Sequence, residues 1–367
     1  MTLCPPGSGG VRGSSRAHLT GRTGSARVAR MNEWRIGFAG FGNVNRALFR
    51  MLESRREELR ARHGLRFRVT MIATRRLGAI VDAGGIDAAA AAGAWRGGPE
   101  TLAAVREAPI DLLFEGTTLD PRTGQPATDH VRAALERGVS VVSANKGPLA
   151  FAARDLLRLA RARGAGFRFE SAVADCLPIF DLCEVAVPAG RVTAYRGVLN
   201  STSNLVLQAM TRGVPMAEAV KDAQARGIAE AEPSHDLDGW DQTVKAVILS
   251  NVLFGLDLRP ADVERTPLDA VDPGWVRAEE RAGSTVRLAA SGEAGGAARV
   301  GPLSFPAGSF LASLAGGSLG IEIETEMAGT LRVAGVDPGV EHTAYGMLSD
   351  LVAIHLGRRL IPTPLLD

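Results

Sequence analysis

The sequence is poor in cysteine, in long apolar runs and in net charge. It has 3 cysteines among 367 residues and no Cys-X-X-Cys pair, which is typical of a reducing compartment and predicts neither a disulfide framework nor a zinc site. No apolar run approaches the roughly eighteen residues that a membrane-spanning helix needs. The formal net charge of +2 creates no strong field for nucleic acid or a membrane surface. These absences favour a cytoplasmic protein that acts on small molecules, without a nucleic-acid or membrane partner.

Lysine is also scarce. Among 42 basic residues the only lysines are Lys146, Lys221 and Lys245. Arginine does not exchange its proton near neutral pH, whereas a desolvated lysine does. The three lysines are therefore candidates for proton transfer, with solvated surface lysines as the alternative.

The length predicts two domains. Residues 1–30 are rich in Gly, Ser, Arg and Thr without an apolar period, so they are predicted to be a disordered extension, and Met31 is a candidate start. A dinucleotide-binding domain is predicted over residues 31–165, a substrate-binding and dimerisation domain over residues 166–334, and a C-terminal helix returning to the first domain over residues 335–367.

A strand, a glycine turn, a helix and a second strand follow one another from residue 34. The predicted strands are 34–39 and 67–73, and the helix is 46–62. Between them, Gly40 permits a tight turn and Gly42 lets the backbone approach a pyrophosphate. Asn43 and Val44 continue the turn, and the helix that follows offers free N–H groups to that anion. Asn45 stands where the motif has a third glycine, which predicts a wider helix–strand approach or a polar contact. The alternative is an ordinary strand–helix turn.

The alternation of strands and helices continues beyond this unit. Helices are predicted at 101–108 and 127–137, and strands at 110–115 and 139–143, which indicates an α/β fold with a Rossmann-type, doubly wound parallel sheet. An inserted α+β domain should follow, with strands at 192–199, 300–305 and 319–326 and helices at 203–212, 215–226 and 238–254. A last helix is predicted at 341–356, and the Ala/Gly-rich segments 86–98 and 290–300 are predicted to be loops or weak helix.

Two arginines follow the second strand, at the position where NAD-specific proteins usually carry an acid for the ribose 2′-hydroxyl. Arg75 and Arg76 suit a 2′-phosphate instead, so NADP is predicted, with NAD as the alternative. The competing interpretation is a solvated basic loop.

Several ordered blocks resemble the homoserine dehydrogenase family. They are VVSANKGPLA at 141–150, Thr117-Thr118 with TGQPA at 123–127, GVLNSTSN at 197–204, GIAEAEP at 227–233 followed by Asp236, Gly239, Asp241 and Lys245, and Thr343-Ala344 with Ser349-Asp350-Leu351. The resemblance runs from about residue 34 to the end. It implies reversible NAD(P)-linked oxidation of L-homoserine to L-aspartate-4-semialdehyde by a homodimer, in a short form without an ACT or aspartate kinase domain.

The resemblance also implies roles for residues. Lys245 would transfer the proton, Lys146 would lie beside nicotinamide and substrate, and Asp241 would act with them. The substrate-binding set would be Glu230, Asp241, Gly227, Asn200 and Thr202, and the cofactor-binding set Gly40, Gly42, Asn43, Val44, Arg75, Arg76, Thr117, Thr118, Ser143, Lys146 and Gly339. From spacing alone, Asp241 and Lys245 lie on one face of a helix, where the alternative is a surface ion pair.

A segment beginning at Glu170 resembles the family's monovalent-cation loop. Na⁺ or K⁺ would be held by Glu170, Val173, Asp175 and Leu177. The chain departs from the family's glycines at Asn45, Ser201, Asp337 and in the 174–176 segment. Three alternatives therefore stay open: a dehydrogenase of the same architecture acting on another short hydroxy acid or amino alcohol, a catalytically silent NADP-binding sensor or scaffold, and a cysteine-based aldehyde dehydrogenase using Cys176 or Cys183.

Overall fold

The computed structural model describes residues 33–93, 97–226, 229 and 232–366. The predicted N-terminal extension and Met31 lie outside these residues. A first sheet contains six strands in the order β3-β2-β1-β4-β5-β6, all parallel except for β3. Its strands are β1 (Trp34–Ala39), β2 (Phe67–Thr74), β3 (Gly78–Val81), β4 (Leu112–Glu115), β5 (Ser140–Ser143) and β6 (Phe167–Arg168).

Helices connect the strands of this sheet. They are α1 (Asn43–Ser54), α2 (Arg56–His63), α3 (Ala88–Ala92), α4 (Thr101–Glu107), α5 (Ala127–Glu136) and α6 (Gly147–Arg163). The prediction of one helix over 46–62 was wrong in its continuity, because Arg55 leaves helical dihedral angles at φ −106° and ψ 11°. Arg56 then donates to the Phe67 carbonyl oxygen at 2.6 Å, which anchors α2 against the second strand.

A second sheet has the order β12-β11-β7-β9-β10-β8 and is antiparallel except for the β10–β8 pair. Its strands are β7 (Val192–Val198), β8 (Glu264–Arg265), β9 (Ser284–Glu293), β10 (Arg299–Pro306), β11 (Leu319–Thr325) and β12 (Gly329–Gly335). The prediction of loop or weak helix at 290–300 was wrong at both ends. Gly292 lies in β9 and pairs with Tyr195 of β7, where a Cβ would lie 2.7 Å from the Tyr195 ring, so the small residue makes room for its aromatic neighbour.

The remaining helices pack around and between these sheets. They are α7 (Ser171–Ala174), α8 (Ile179–Ala186), α9 (Ser201–Thr211), α10 (Met216–Ala225), α11 (Ser234–Leu237), α12 (Trp240–Phe254), α13 (Pro273–Arg281) and α14 (Val340–His355), with 3₁₀ turns at Pro260–Asp262, Leu268–Ala270 and Pro364–Leu366. Helix α12 is buried from Gln242 to Leu253 and packs against both α6 and β9. The Tyr195 hydroxyl on β7 donates to the Ala246 carbonyl oxygen at 3.0 Å. Helix α12, which is buried along most of its length, thus packs between the two sheets.

Helix α14 packs against α1 and against the first sheet. Trp34 Nε1 donates to His355 Nδ1 at 3.1 Å, which joins β1 to the end of the helix. Ser171 Oγ donates to the Thr343 carbonyl oxygen at 2.9 Å, and a Cβ on Gly346 would lie 2.3 Å from Ser171 Oγ. The small residue therefore permits close contact between α14 and α7.

The predicted fold class, a Rossmann-type parallel sheet with a second α+β unit, is confirmed. Among the described residues, no helix is both long and apolar enough to cross a membrane.

Candidate active site

A cavity of about 950 Å³ lies at the carboxyl ends of β1, β2 and β4. Ligands of doubly wound sheets bind at this edge, beside the point where the strand order reverses. The size suits a nucleotide cofactor. The cavity is lined by Gly40, Phe41, Gly42, Arg46, Thr74, Arg75, Arg76, Leu77, Gly78, Gly98, Glu100, Thr101, Leu102, Gly116, Thr117, Thr118, Pro126 and His130.

The glycine turn forms the middle of this cavity. Gly40 has φ +78°, and a Cβ there would lie 2.6 Å from the Gly116 carbonyl oxygen, so only glycine fits. A Cβ on Gly42 would meet nothing within 4 Å, and this residue precedes α1 as its N-cap. Asn45 Nδ2 donates to the Gly40 carbonyl oxygen at 2.7 Å. Asn45, which stands where the motif has its third glycine, thus makes the predicted polar contact.

The predicted cofactor residues divide into two groups. Those that line the cavity are Gly40, Gly42, Arg75, Arg76, Thr117 and Thr118, and those outside its lining are Asn43, Val44, Ser143, Lys146 and Gly339. Arg75 and Arg76 are exposed where β2 ends. Gly339 is the N-cap of α14, and Ser143 Oγ donates to the Asn145 carbonyl oxygen at 3.2 Å.

Lys245, Asp241 and Lys146 form a connected group of charges. Lys245 Nζ lies 2.8 Å from Asp241 Oδ2, and Lys146 Nζ lies 3.4 Å from Asp241 Oδ1. Lys245 is only 8% exposed, and its Nζ also donates to the Leu199 carbonyl oxygen at 2.5 Å. Helix α12 supplies the first two residues one turn apart, and the loop after β5 supplies the third.

The surroundings of Asp241 hold it ionised. Burial acts to raise the pKa of Asp241, but the charges of Lys245 and Lys146 and hydrogen bonds from Lys245 and Asn200 outweigh it and hold that pKa below its usual range. A fixed negative charge between two ammonium groups can orient both and can also receive a cationic group of a ligand.

Asn200 connects the lysine group to the start of α9. Its Nδ2 donates to Asp241 Oδ2 at 3.0 Å and to Asp236 Oδ1 at 2.8 Å. Its Oδ1 accepts from the Ser203 backbone N–H at 2.9 Å and so caps the helix. Thr202 is buried in the same turn. Gly227 and Glu230, the other predicted substrate-binding residues, lie outside the described residues.

The carboxylates of the predicted cation loop make hydrogen bonds within the protein. Glu170 accepts from the backbone N–H groups of Phe180 and Asp181 at 2.9 and 2.8 Å, because α8 begins directly above it. Burial and the charge of Asp350 raise the pKa of Glu170 to about 8, although these two donors oppose the shift. The Glu170 carboxyl thus caps the start of α8.

No cluster of three or more His, Cys, Asp or Glu side chains suited to a metal occurs in the part of the chain that the structure describes. The Asp175 carboxylate accepts from Thr343 Oγ1 at 2.5 Å, and Val173 and Leu177 are buried. A cation site at Glu170, Val173, Asp175 and Leu177 therefore stays a prediction that rests on backbone carbonyl groups.

Three of the substitutions in glycine-rich loops make internal hydrogen bonds. Asp175 and Asp337 have φ of 56° and 42°, which is where glycine is usually found. Asp337 Oδ1 accepts from the Gly317 N–H at 3.0 Å, and Ser201 Oγ donates to the Gly317 carbonyl oxygen at 2.5 Å. Ser201 and Asp337 thus hold one loop from both sides, and neither carboxylate is without a partner in the protein.

Sequence reasoning missed a polar group next to the cavity. Glu115 and His130 are buried at the end of β4 and in the first turn of α5. Asn145 Nδ2 donates to the Thr117 carbonyl oxygen at 2.9 Å. The only available signal was a carboxylate inside an otherwise apolar strand, because a buried acid needs partners that the sequence does not identify.

Cys176 and Cys183, the cysteines that the structure describes, lie in surroundings that do not favour a nucleophile. Burial raises the pKa of Cys176, and it raises the pKa of Cys183 to about 12. Both effects disfavour the thiolate that a cysteine-based dehydrogenase requires.

Known proteins resemble this chain along nearly its whole length. The family model of homoserine dehydrogenase matches residues 178–352. An NAD(+)-dependent homoserine dehydrogenase of Pseudomonas canavaninivorans is 35% identical over 341 residues, which cover 89% of this chain and 97% of that protein. A homoserine dehydrogenase of Methanocaldococcus jannaschii is 30% identical over 334 residues, which cover 87% and 98%. The crystal structure of the homoserine dehydrogenase of Thermoplasma acidophilum is similar with a TM-score of 0.71 at 27% identity, covering 88% of this chain and 99% of that one.

Proposed function

The chain belongs to the homoserine dehydrogenase family and is an NAD(P)-dependent oxidoreductase, and we propose that it interconverts L-homoserine and L-aspartate-4-semialdehyde. The observation that carries this proposal is the group of Lys245, Asp241 and Lys146, in which two lysines meet one carboxylate. A structural ion pair on a surface would need only one lysine and would not be buried.

Oxidation of a primary alcohol removes a hydride from carbon and a proton from oxygen. The bound coenzyme supplies the hydride acceptor, and the glycine turn with the start of α1 fits its pyrophosphate. We assign the hydroxyl proton to Nζ of Lys245 in its neutral amine form, which thereby becomes the ammonium group that the Leu199 carbonyl oxygen and Asp241 hold in place. In the reverse direction the same Nζ returns the proton to the carbonyl oxygen. Lys146 Nζ, which is less enclosed, is assigned to orienting the substrate.

The substrate is an amino acid, and the site offers a carboxylate for its ammonium group. Asp241 remains ionised, so it can bind this cation, and we assign Glu230 as the second acid. Asp175 already accepts a hydrogen bond from Thr343 on α14, and Asp337 accepts one from the Gly317 N–H, which argues against a different substrate selected by these two acids.

NADP is the proposed coenzyme because Arg75 and Arg76 line the adenosine end of the cavity. NAD is the second candidate, since the relative from Pseudomonas canavaninivorans is NAD(+)-dependent. The comparison of kcat/KM for the two coenzymes decides between them. The assignment is supported if the ratio of kcat/KM with NADP⁺ to kcat/KM with NAD⁺ falls in the Arg75→Ser, Arg76→Ser double variant. An unchanged ratio contradicts it.

The function is tested by steady-state kinetics on purified protein. We expect oxidation of L-homoserine with NADP⁺ at mildly alkaline pH, followed by absorbance of the reduced coenzyme. Parallel series with Na⁺, K⁺ and a large organic cation test the predicted cation site, and light scattering tests the predicted homodimer. Coenzyme binding without turnover on homoserine or a panel of hydroxy acids and amino alcohols would contradict the proposal in favour of a silent sensor. Turnover only on another panel member would identify a different dehydrogenase.

A further inference from the structure

A buried acid and a buried histidine meet beside the cofactor cavity. Glu115 is the last residue of β4 and has 0% exposure, and His130 in the first turn of α5 has 3%. His130 is part of the cavity lining, whereas Glu115 lies directly behind it. Neither residue belongs to the lysine group described above.

The two oxygens of Glu115 have unequal surroundings. Its Oε1 accepts from Thr117 Oγ1 at 2.5 Å and from the Thr117 backbone N–H at 3.3 Å, and it lies 3.4 Å from His130 Nδ1. Its Oε2 is buried and has no hydrogen-bond partner among the described residues. Burying a carboxyl oxygen without a hydrogen-bond partner costs free energy, so packing alone does not account for Glu115 at this position.

The carboxylate fixes the orientation of the imidazole. Glu115 Oε1 accepts from Thr117 Oγ1 and faces His130 Nδ1 at 3.4 Å, so an N–H on Nδ1 is the arrangement that gives this pair a hydrogen bond. In the tautomer that carries its N–H on Nδ1, the other nitrogen, Nε2, is an acceptor. The described part of the chain offers Nε2 no hydrogen-bond partner, although His130 borders the cavity.

The position of His130 within the cavity identifies the part of the ligand it meets. The end lined by Thr74–Gly78 lies at β2, and the end lined by Thr117, Thr118 and His130 lies at β4, on the other side of the glycine turn. With the pyrophosphate at the turn and the adenosine at β2, the β4 end receives the nicotinamide half. That half carries donors to match an acceptor: its carboxamide NH₂ group and its ribose hydroxyls.

We propose that His130 Nε2 accepts a hydrogen bond from the nicotinamide half of the bound coenzyme, and that Glu115 is the positioning residue that holds the ring in the required tautomer. The inference rests on the coenzyme of the proposed function but not on its substrate. Through Thr117, Glu115 also connects to Asn145 and so to the loop that carries Lys146.

Binding of two ligands distinguishes the loss of this hydrogen bond from a general disruption of the cavity. Binding of NADPH is measured by fluorescence, and binding of adenosine 2′,5′-bisphosphate, which lacks the nicotinamide half, by calorimetry (NADH and AMP serve if the protein prefers NAD). The variants are His130→Phe, His130→Gln and Glu115→Gln. His355→Asn is the matched control, because His355 is also partly buried and makes two hydrogen bonds, but it lies outside the cavity lining.

We expect His130→Phe and Glu115→Gln to weaken NADPH binding by up to about tenfold, as for one lost hydrogen bond, and to leave the bisphosphate within about twofold. His130→Gln keeps an acceptor and should lose less, and His355→Asn should change neither ligand. If His130→Phe does not fold, the two glutamine variants carry the test. Unchanged NADPH binding, equal losses for both ligands, or equal losses in the Phe and Gln variants would each overturn the proposal. None of these readouts depends on homoserine turnover, so failure of the proposed substrate would be recognised separately.

Discussion

Asp241 and Glu170 are both largely buried carboxyl groups, yet their pKa values move in opposite directions. Burial acts to raise both. The pKa of Asp241 ends below its usual range, because Lys245 and Lys146 supply positive charge on two sides. The pKa of Glu170 rises to about 8, because burial is joined by the charge of another acid, Asp350, and is not offset by a nearby cation. The sign of the shift thus depends on the neighbours and not on burial alone.

The neighbourhood of Glu170 is a structural cluster around a buried arginine. Arg168 has 0% side-chain exposure and forms ion pairs with Asp350 at 3.0 Å, with Glu184 at 3.1 Å and with Asp181. These partners belong to α14 and α8, so the cluster fastens both helices to β6. The Lys245 group is instead partly open, with Lys146 at 23% side-chain exposure. The partly open group around Lys245 is therefore suited to chemistry, and the closed cluster around Arg168 is suited to stabilising the fold.

The largest effect is expected from the lysine group. Lys245→Met should lower kcat by about 10²–10⁴-fold, because a positioned proton-transfer group contributes that much, while NADPH affinity stays within about twofold. Steady-state kinetics and fluorescence titration measure the two quantities. Lys221→Met is the matched control, since Lys221 is exposed on α10. Equal activity of the two variants would remove Lys245 from the mechanism.

A substitution in the closed cluster around Arg168 should change the free energy of unfolding and not the activity. Arg168→Met should lower the free energy of unfolding by about 3–5 kcal/mol, because it leaves buried carboxylates without their cation. Urea unfolding measures this, and kcat of the folded fraction should change little. Arg196→Met is the control: Arg196 is 47% exposed in its ion pairs, so about 1 kcal/mol or less is expected. Similar losses in both variants would contradict the distinction between buried and exposed pairs.

Asp241→Asn tests the role of the carboxylate that pairs with the two lysines. The amide keeps the shape but loses the charge that pairs with both lysines and binds the substrate ammonium group. We expect kcat/KM for homoserine to fall by about 10- to 100-fold, as for one charged hydrogen bond of about 1.5–3 kcal/mol, with coenzyme binding retained. The exposed neighbour Asp238→Asn should behave like the wild type. A wild-type kcat/KM for Asp241→Asn would show that the carboxylate is dispensable.

The smallest effect is a change in the pH dependence of stability. The folded pKa of Glu170 is about 8 against an ordinary value of 4.5, so the folded state binds more protons than the unfolded state between these values. The stabilising contribution is fully present below about pH 4.5 and is lost as the pH rises towards 8. Glu170→Gln cannot titrate, so unfolding of this variant should lose less stability over that window. Burial raises the pKa of Asp350 to about 6, so this group also loses stability with rising pH in both proteins, and the difference between the two profiles reports Glu170. Parallel pH profiles would contradict the raised pKa.

The sequence predicted what depends on neighbouring residues. The strand, the glycine turn and the following helix occupy one short segment, so their apolar pattern and Gly40 suffice to identify them. Asp241 and Lys245 are one helical turn apart, and the structure shows the ion pair that this spacing permits. These features need no knowledge of the tertiary fold.

Pairs that are distant along the chain were not predictable. Arg168 meets Asp350 and Asn200 meets Asp236 only because the sheets bring their helices together. Glu115 and His130 are closer in sequence, but no period or motif associates them. Segment 290–300 was misassigned because alanine and glycine carry little strand propensity, whereas pairing with β7 and between β9 and β10 makes its two ends strands.

The central claim is hydride transfer from homoserine to the nicotinamide coenzyme at the lysine group. We would measure turnover of L-homoserine carrying two deuterium atoms at carbon 4, with NADP⁺ or NAD⁺, and analyse the reduced coenzyme by mass spectrometry. We expect one deuterium in each reduced coenzyme molecule and the other in the semialdehyde. The Lys245→Met variant should form no detectable product on the same time scale. Reduced coenzyme without deuterium, or no turnover by a wild-type protein that binds NADPH, would contradict it.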